Sequence, residues 1–358
     1  MKLVVITINN LRSGGAEKQS IYLYRNLKTI YNTKLIVYYG DQKDSRMLDL
    51  LGDDLKDVIW LEGSHLSKMI YFFKMFSHSK ADVCISYLAT TNFINAIIGK
   101  LAGVKIRIGG IRSSRINWYK LLLQRHLHNY WLSYSVFNNN KGLQSLIKKG
   151  LIKEKSTVIF NCIDVVDFKR GFKKQEIANI LSVGRFVEQK DYYTAIDVIR
   201  LLVERKLKFK YTIVGHGVLE QEIRNYISDH KIDQLVDVII KPKDVYKYYE
   251  NADIYLSTSV IEGLSNSIME ALSYSLPVVA TNVGDNSYLV KEGFNGYLTN
   301  VKDVVTIADK LEILIRDAEL RKVFGEAGKR HISENFSVSK FVEKYVELIE
   351  SLANKWIS

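Results

Sequence analysis

Residues 257–289 read STSVIEGLSNSIMEALSYSLPVVATNVGDNSYL and follow directly on an apolar run, residues 252–256. The pattern predicts a turn at Glu262-Gly263-Leu264, a short helix over residues 265–274 and a strand over the apolar run 277–280. Strand, helix and strand in this order form the repeating unit of a parallel α/β sheet. Ser265 or Asn266 is placed to cap the helix, because a short polar side chain accepts from the free amides of a first turn. A capped helix start behind a glycine turn gathers N–H donors at the positive end of a helix dipole, which suits a phosphate or a sugar hydroxyl. Glu262 and Glu270 stand eight residues apart across this turn and helix. Taken alone, they fit a ligand site and two ordinary surface carboxylates equally well.

The alternation extends outward from this stretch. In the front half, short apolar and β-branched runs at residues 2–8, 34–39, 58–61, 83–87, 105–109 and 133–138 read as strands. Helical spacing occupies residues 16–27, 92–102 and 141–149 between them. The alternation restarts with a short strand at 157–160 and a loop-rich connector at 161–174. Strands at 180–183, 210–214 and 236–240 follow, with helices at 192–206, 218–230, 244–251 and 301–316. Repeated strand–helix alternation implies parallel pairing through right-handed crossovers, so the fold class is α/β with two Rossmann-like, doubly wound domains. The expected domains are residues 1–165 and 166–336. A closing helical segment, 337–358, lies outside the second alternation and is expected to pack back on the first domain. Ligands of such sheets bind beyond the carboxyl ends of the strands. Here those ends are the loops 9–15, 184–191, 215–217 and 258–264, which are expected to line one interdomain cleft.

Composition sets outer limits. Hydrophobic residues make up 47% and charged residues 25% of the 358, the balance of a soluble globular protein. The apolar start, MKLVVITINN, is too short for a signal peptide or a span, and no apolar run reaches the roughly 18 residues a membrane helix needs. Cys84 and Cys162 are the only cysteines and form no CxxC pair, which suggests free thiols in a reducing compartment. The net charge of +12 is unevenly spread. Residues 1–170 hold 26 Lys and Arg against 12 Asp and Glu, whereas residues 171–358 hold 25 against 27. A basic front half points to an anionic partner: lipid head groups, nucleic acid or a phosphorylated substrate.

Three glycine-bearing motifs sit at predicted strand ends. Gly14-Gly15-Ala16-Glu17 opens the first helix, where glycine lets backbone amides approach an anion, but the spacing is not the GxGxxG of a dinucleotide site. In Gly184-Arg185-Phe186-Val187-Glu188-Gln189-Lys190-Asp191, the two cations stand five residues apart and are placed to converge on a diphosphate. The alternative is a pair of solvated charges beside a helix start. Gly215-His216-Gly217 allows close backbone approach to a ligand. HExxH, GxSxG and GxxxxGK[ST] are absent, so metalloprotease, hydrolase and P-loop chemistries are not supported.

In order and spacing, these motifs resemble family 4 of the retaining glycosyltransferases. The resemblance rests on Glu262 and Glu270 as an E-x7-E pair, on the three glycine motifs, and on Asn161-Cys162-Ile163-Asp164. It also takes in the runs 252–259 and 277–284 and Gly293-Phe294-Asn295-Gly296, and so covers nearly the whole chain. The segment SYLATTNFINAIIGKLAGVKIRIGGIRSS is further similar to enzymes that build bacterial capsule, O-antigen or other lipid-linked glycans. The resemblance implies the GT-B fold, with a nucleotide diphosphate sugar as co-substrate between an N-terminal acceptor domain and a C-terminal donor domain. It implies no cofactor and no metal, since protein cations and helix dipoles stabilise the leaving diphosphate. By motif match, Arg185 and Lys190 would hold the diphosphate and Glu270 the ribose hydroxyls. Glu262 would meet the transferred sugar beside Gly263, Leu264 and Ser265. Gly184 and Gly215 would border the donor, and the Gly15 amide would approach it from the other domain. Glu262 is not assigned as a nucleophile, because this family retains anomeric configuration without a clear carboxylate nucleophile.

Two departures stand out. Where many members carry His or Ser-Glu-Arg-Asn after the strand at 105–109, this chain has Gly110-Ile111-Arg112-Ser113-Ser114, which leaves Arg112 as the acceptor-side candidate. Where members show Gly after the strand at 236–240, this chain has Lys241-Pro242. UDP remains the expected nucleotide.

The basic half also holds two mixed segments, SHLSKMIYFFKMFSHSK at 64–80 and RSSRINWYKLLLQRHLHNYWLSY at 112–134. The second is helix-like. It fits either an anionic membrane surface, with its rings at head-group depth, or a core-facing helix with a solvated basic side. A lipid-linked saccharide acceptor favours the membrane reading and a peripheral position on the cytoplasmic face of the cell membrane. Two other classes compete: a basic nucleic-acid-binding protein and a non-catalytic GT-B scaffold. The first predicts cations along a groove with stacking aromatics, but here the aromatics cluster with aliphatics, so no nucleic acid is expected. The second is disfavoured because Arg185, Lys190, Glu262 and Glu270 are all present.

Overall fold

The computed structural model describes residues 2–12, 14–112, 117–168 and 177–355. Residues 113–116 of the departure run and the basic segment, residues 169–174 of the expected connector and residues 356–358 of the expected closing helix lie outside the described residues. The chain divides into two compact units, Met1–Cys162 with Val338–Ser358, and Ile163–Ser337.

The first unit is built on a seven-stranded sheet, all parallel. Its strands are β1 (Leu3–Ile8), β2 (Asn32–Val37), β3 (Ile59–Trp60), β4 (Val83–Tyr87), β5 (Ile106–Ile111), β6 (Tyr134–Phe137) and β7 (Ser156–Val158), in the order β3-β2-β1-β4-β5-β6-β7. All six residues of β1, LVVITI, are buried, as a central parallel strand covered on both faces requires. The helices between the strands are α1 (Gly15–Leu27), α2 (Ser45–Leu51), α3 (His65–Ser79), α4 (Ala89–Ile94), α5 (Trp118–His126) and α6 (Asn140–Ile147). Strand β7, expected to restart the alternation, instead pairs with β6 and closes the first sheet.

The second unit repeats the plan. Strands β8 (Ala178–Arg185), β9 (Phe209–His216), β10 (Val236–Ile240), β11 (Ile254–Ser257), β12 (Val278–Thr281) and β13 (Gly296–Thr299) form a parallel sheet in the order β10-β9-β8-β11-β12-β13. The helices are α7 (Tyr192–Glu204), α8 (Glu220–Asp229), α9 (Tyr246–Asn251), α10 (Asn266–Ser273), α11 (Asn286–Leu289), α12 (Val304–Arg316) and α13 (Ala318–Asn335). Both sheets reverse direction once, between β1 and β4 and between β8 and β11. Such a switch point leaves a crevice at the carboxyl ends of the two strands.

Helices α2, α3, α11 and α13 and strand β13 are absent from the elements expected above. Helix α13 carries Gly325 and Gly328 in its middle, which lowers its intrinsic helicity. The structure gives the reason for both. A Cβ at Gly325 would overlap the Ser275 carbonyl oxygen, and one at Gly328 would fall 2.6 Å from Leu272 Cδ2. The glycines let α13 pack closely on α10 and the turn that follows it.

The last helix, α14 (Val338–Asn354), belongs to the first unit. Its Phe341, Val342, Tyr345, Ile349 and Leu352 recur at helical spacing and join a core that includes Ile21, Tyr24 and Leu27 of α1. Glu350 ties it to the first strand region, accepting from Tyr31 Oη at 2.6 Å and from Lys2 Nζ at 2.5 Å. Ile349 is fully buried. Ile349→Ala is expected to destabilise the protein by about 2–5 kcal/mol, the range for truncating a buried aliphatic side chain, as read from the urea midpoint at unchanged m value.

Candidate active site

Beyond the ends of β8 and β11, two loops are laced together. The first leaves β8 at Arg185. Phe186 is fully buried and meets the Tyr192 ring edge-on at 5.3 Å, while Arg185 beside it is exposed. A single 3-10 turn, Glu188–Lys190, leads to Asp191 at φ +46. The Asp191 carboxylate caps α7, accepting from Thr194 Oγ1 at 2.7 Å and from the Thr194 amide at 3.4 Å.

The second loop leaves β11 at Ser257. Thr258 Oγ1 donates to the Asp191 carbonyl oxygen at 2.8 Å, and the Val260 amide donates to the Gln189 carbonyl oxygen at 2.9 Å. Lys190 Nζ meets Glu262 Oε1 at 2.5 Å, and Ser259 Oγ donates to the same oxygen at 2.9 Å. Both partners are largely covered, with side chains 20% and 14% exposed. In such a setting the attraction is stronger than at an open surface. A Cβ at Gly184 would fall 3.1 Å from Lys190 Cε, so the bare backbone makes room for the lysine stem.

The turn after Glu262 is held from behind. The Asp285 amide donates to the Gly263 carbonyl oxygen at 2.7 Å, and Thr281 Oγ1 donates to the Ser259 carbonyl oxygen at 2.5 Å. Gly284 has φ +59, and a Cβ there would overlap the carbonyl oxygens of both Glu262 and Gly263. Leu264 and Ser265 are buried. Ser265 occupies the N-cap position of α10 without capping it. Its hydroxyl pairs with Ser267 Oγ at 3.2 Å, so the side-chain cap expected from sequence does not form.

Glu270 lies in α10, where Tyr249 Oη donates to its Oε2 at 2.9 Å. Burial, reinforced by the Glu270 charge, pushes the Tyr249 hydroxyl well above its ordinary pKa, so it stays protonated and donates. Tyr249 stacks between Tyr255, at 6.0 Å, and Tyr274, at 5.6 Å, which fixes the donor in place.

Gly184, Arg185 and Gly215 end strands and do not lie in loops as expected. The parallel register runs on through Gly184↔Gly215 and Arg185↔His216. A Cβ at Gly215 would overlap the Gly184 carbonyl oxygen and one at Gly217 the Phe186 backbone, so strand packing alone demands these glycines. Lys241, where the resemblance leads one to expect glycine, takes φ +43 and donates its amide to the Gly215 carbonyl oxygen at 3.2 Å. The departure in residue type keeps the left-handed backbone.

The structure thus connects Gly184, Lys190, Glu262 and Gly263 through direct contacts, with Gly215 paired to Gly184 and Arg185 exposed beside them; Leu264 and Ser265 follow the turn into α10, where Ser265 pairs with Ser267 and Glu270 is held by Tyr249. Gly15 and Arg112 belong to the first unit. Gly15 begins α1 behind Gly14, whose backbone is extended; a Cβ on Gly14 would overlap Glu17 Oε2. Glu17 is buried there, and loss of solvation raises its pKa. Arg112 follows β5, and its guanidinium stands 4.6 Å over the Tyr87 ring. Sequence reasoning passed over Thr258, Ser259, Tyr249 and Gly284. The Ser-Thr-Ser run after an apolar strand was the one signal for the first two; an aromatic on a short helix reads as core.

Residues 165–331 match the family model described as glycosyl transferases group 1. The HepE protein of Anabaena, solved with UDP, superposes at TM-score 0.83 over 98% of this chain and 100% of its own, at 17% identity. The fold is GT-B. Over 99% of this GT-B chain and 100% of the relative, it is 25% identical to a Campylobacter jejuni enzyme. That enzyme is named GalNAc-α-(1→4)-GalNAc-α-(1→3)-diNAcBac-PP-undecaprenol α-1,4-N-acetyl-D-galactosaminyltransferase. This GT-B chain is also 23% identical, over 81% of its own length and 81% of the relative, to the UDP-Gal:α-D-GlcNAc-diphosphoundecaprenol α-1,3-galactosyltransferase of Escherichia coli. The family match and these relatives support a glycosyltransferase.

Gly284→Ala is expected to displace the Glu262–Gly263 turn and to destabilise the second unit by roughly 1–3 kcal/mol, since it combines a strained φ with a backbone clash. Denaturant unfolding of the variant checks this, and an unchanged midpoint would contradict the packing described.

Proposed function

We propose that the chain is a retaining glycosyltransferase of family 4. It moves a hexose or N-acetylhexosamine from a UDP-sugar to a lipid-linked saccharide in surface glycan assembly. The observation that carries this reading is the laced pair of loops at the switch point of the second sheet, where Lys190 of one loop pairs with Glu262 of the other. In this reading the second unit binds the donor and the first binds the acceptor.

Each side chain then has a task set by its chemistry. Arg185 offers a planar fork, and no carboxylate pairs with it among the described residues. Lys190 spends one N–H on Glu262 and keeps donors for a phosphate oxygen. Together they stabilise the charge that grows on the diphosphate as the glycosidic bond to it breaks. This is electrostatic work that a metal performs in other enzymes, and we expect none to be needed. Glu270, held by Tyr249, accepts from ribose hydroxyls. Glu262, held by Lys190 and Ser259, faces the transferred sugar with the amides of Gly263, Leu264 and Ser265 beside it. The Ser265 hydroxyl pairs with Ser267 and does not cap α10, so the positive end of this helix is where a ligand oxygen would be received.

The first unit supports a membrane-borne acceptor. No residue of α5 is buried, and Trp118, Tyr119, Leu122 and Leu123 are exposed beside Lys120 and Arg125. One side of the segment does face the core, since Leu121 packs on the cluster around Ile111 and Phe137 and Leu127, His128 and Leu132 are buried, while the exposed rings and cations of α5 fit contact with an anionic surface. Among the described residues no helix is long and apolar enough to cross a membrane, so the reading is of peripheral attachment at the cytoplasmic face.

Lys190→Ala and Glu270→Ala are each expected to lower kcat/KM for sugar transfer by about a hundredfold or more while leaving the circular dichroism spectrum unchanged. Near-normal turnover in either variant would overturn these assignments. Wild-type transfer is expected to persist in excess EDTA; loss of activity restored by a divalent ion would show that a metal shares the work. A UDP-sugar that binds the folded chain should also raise its melting temperature, and a panel of nucleotide sugars identifies the donor by that shift.

A further inference from the structure

The first unit contains a cavity of about 460 Å³ at the carboxyl ends of β4 and β5, closed on one side by α5. Its wall is mainly apolar, with Leu88, Phe93, Ile111, Leu123, Leu127 and Leu132 among the lining residues. No carboxylate lines it among the described residues, whereas Arg112 and Lys120 do.

Arg112 is held in an unusual way. Nη1 donates to Asn161 Oδ1 at 2.9 Å, and the Tyr87 ring lies under the guanidinium. Nε and Nη2 are covered from solvent and have no hydrogen-bond partner. These two nitrogens form one edge of the guanidinium, the edge that grips a carboxylate or phosphate through two parallel bonds. A covered, unsatisfied donor is costly, and a charged one more so. Both atoms are covered, with the Tyr345 hydroxyl close by, so an anion in the cavity reaches them by a small turn of the Arg112 side chain, and there it removes that penalty at both atoms at once.

Resting on the proposed lipid-linked acceptor, we propose that this edge of Arg112 binds a phosphate of an isoprenyl diphosphate, with the first apolar units of the lipid in the cavity. The two halves of the site match the two halves of that ligand: a cationic fork and Lys120 for the phosphates, and an aliphatic wall for the chain. An acidic sugar would satisfy the fork but leave the wall uncovered.

Calorimetric titration of the full chain with farnesyl diphosphate, farnesol, inorganic pyrophosphate and glucuronate tests this. Farnesyl diphosphate is expected to bind saturably and at least about tenfold more tightly than pyrophosphate or farnesol. Arg112→Gln should weaken it about tenfold or more, because one charge-assisted bidentate contact is lost. Arg112→Lys, which keeps the charge without the fork, should fall between. Leu123→Asp, at a half-exposed position that tolerates a charge, should also weaken binding. Equal binding by wild type and Arg112→Gln overturns the proposal. So does pyrophosphate binding as tightly as farnesyl diphosphate, or tighter binding of glucuronate than of either. UDP binding, measured on the same samples, reports the donor reading separately. Its loss in all proteins would sink that reading, and its retention in the variants shows that they are folded.

Discussion

A lysine ammonium and a glutamate carboxylate 2.5 Å apart, both largely covered, are the point on which the second unit's candidate site depends. Removing one partner would leave the other partly desolvated and unpaired, which is far more destabilising than the intact pair is stabilising. The pair also fixes geometry: Lys190 sits one residue before the αL cap of α7, and Glu262 one residue before the turn braced by Gly284. Each of the two loops therefore sets the position of the other. Thr258, Ser259 and Thr281 are small hydroxyl residues in contact with the loop backbones or with Glu262, and they extend this bracing without adding charge.

The same economy runs through the glycines. Gly184, Gly215, Gly217 and Gly284 all stand where a Cβ would meet the lysine stem or another stretch of backbone. Glycine motifs of this kind invite a ligand explanation, yet here packing accounts for them first. What the packing achieves is a close approach of β8 to β9 and of the Glu262 turn to the loop after β12. That is how four strand ends bring their polar groups together.

Most of the fold was legible because buried parallel strands are short apolar runs and the connecting helices carry a clear period. Two of the elements missed, α13 and β13, had a physical reason to be missed. Helix α13 hides behind two glycines that its tight packing requires, and β13 is a four-residue strand with only its two end residues buried. Strand ends were misplaced by two residues at Gly184-Arg185 and Gly215-His216, because glycine reads as a break in sequence but continues the ladder in space. Within the candidate site, charged residues at motif positions were visible from the chain. The residues that hold them were not: Ser259 and Tyr249 acquire meaning only through distance, and a hydroxyl or a ring has many other uses. The failed Ser265 cap belongs to the same class, since residue type suited a cap and the side chain found Ser267 instead.

The position of α14 bears on how the molecule is made. The first unit is discontinuous: its sheet is complete by residue 158, but its core includes Phe341, Tyr345 and Ile349. On a ribosome the sheet would emerge long before the helix that covers it. Until α14 emerges, α1 would expose an apolar face meant for it. The second unit, contiguous in sequence, has no such delay and can close while the first is still waiting. The first unit would then be the last to reach its native state, and the interval before α14 emerges would be its period of greatest exposure to aggregation and to chaperones.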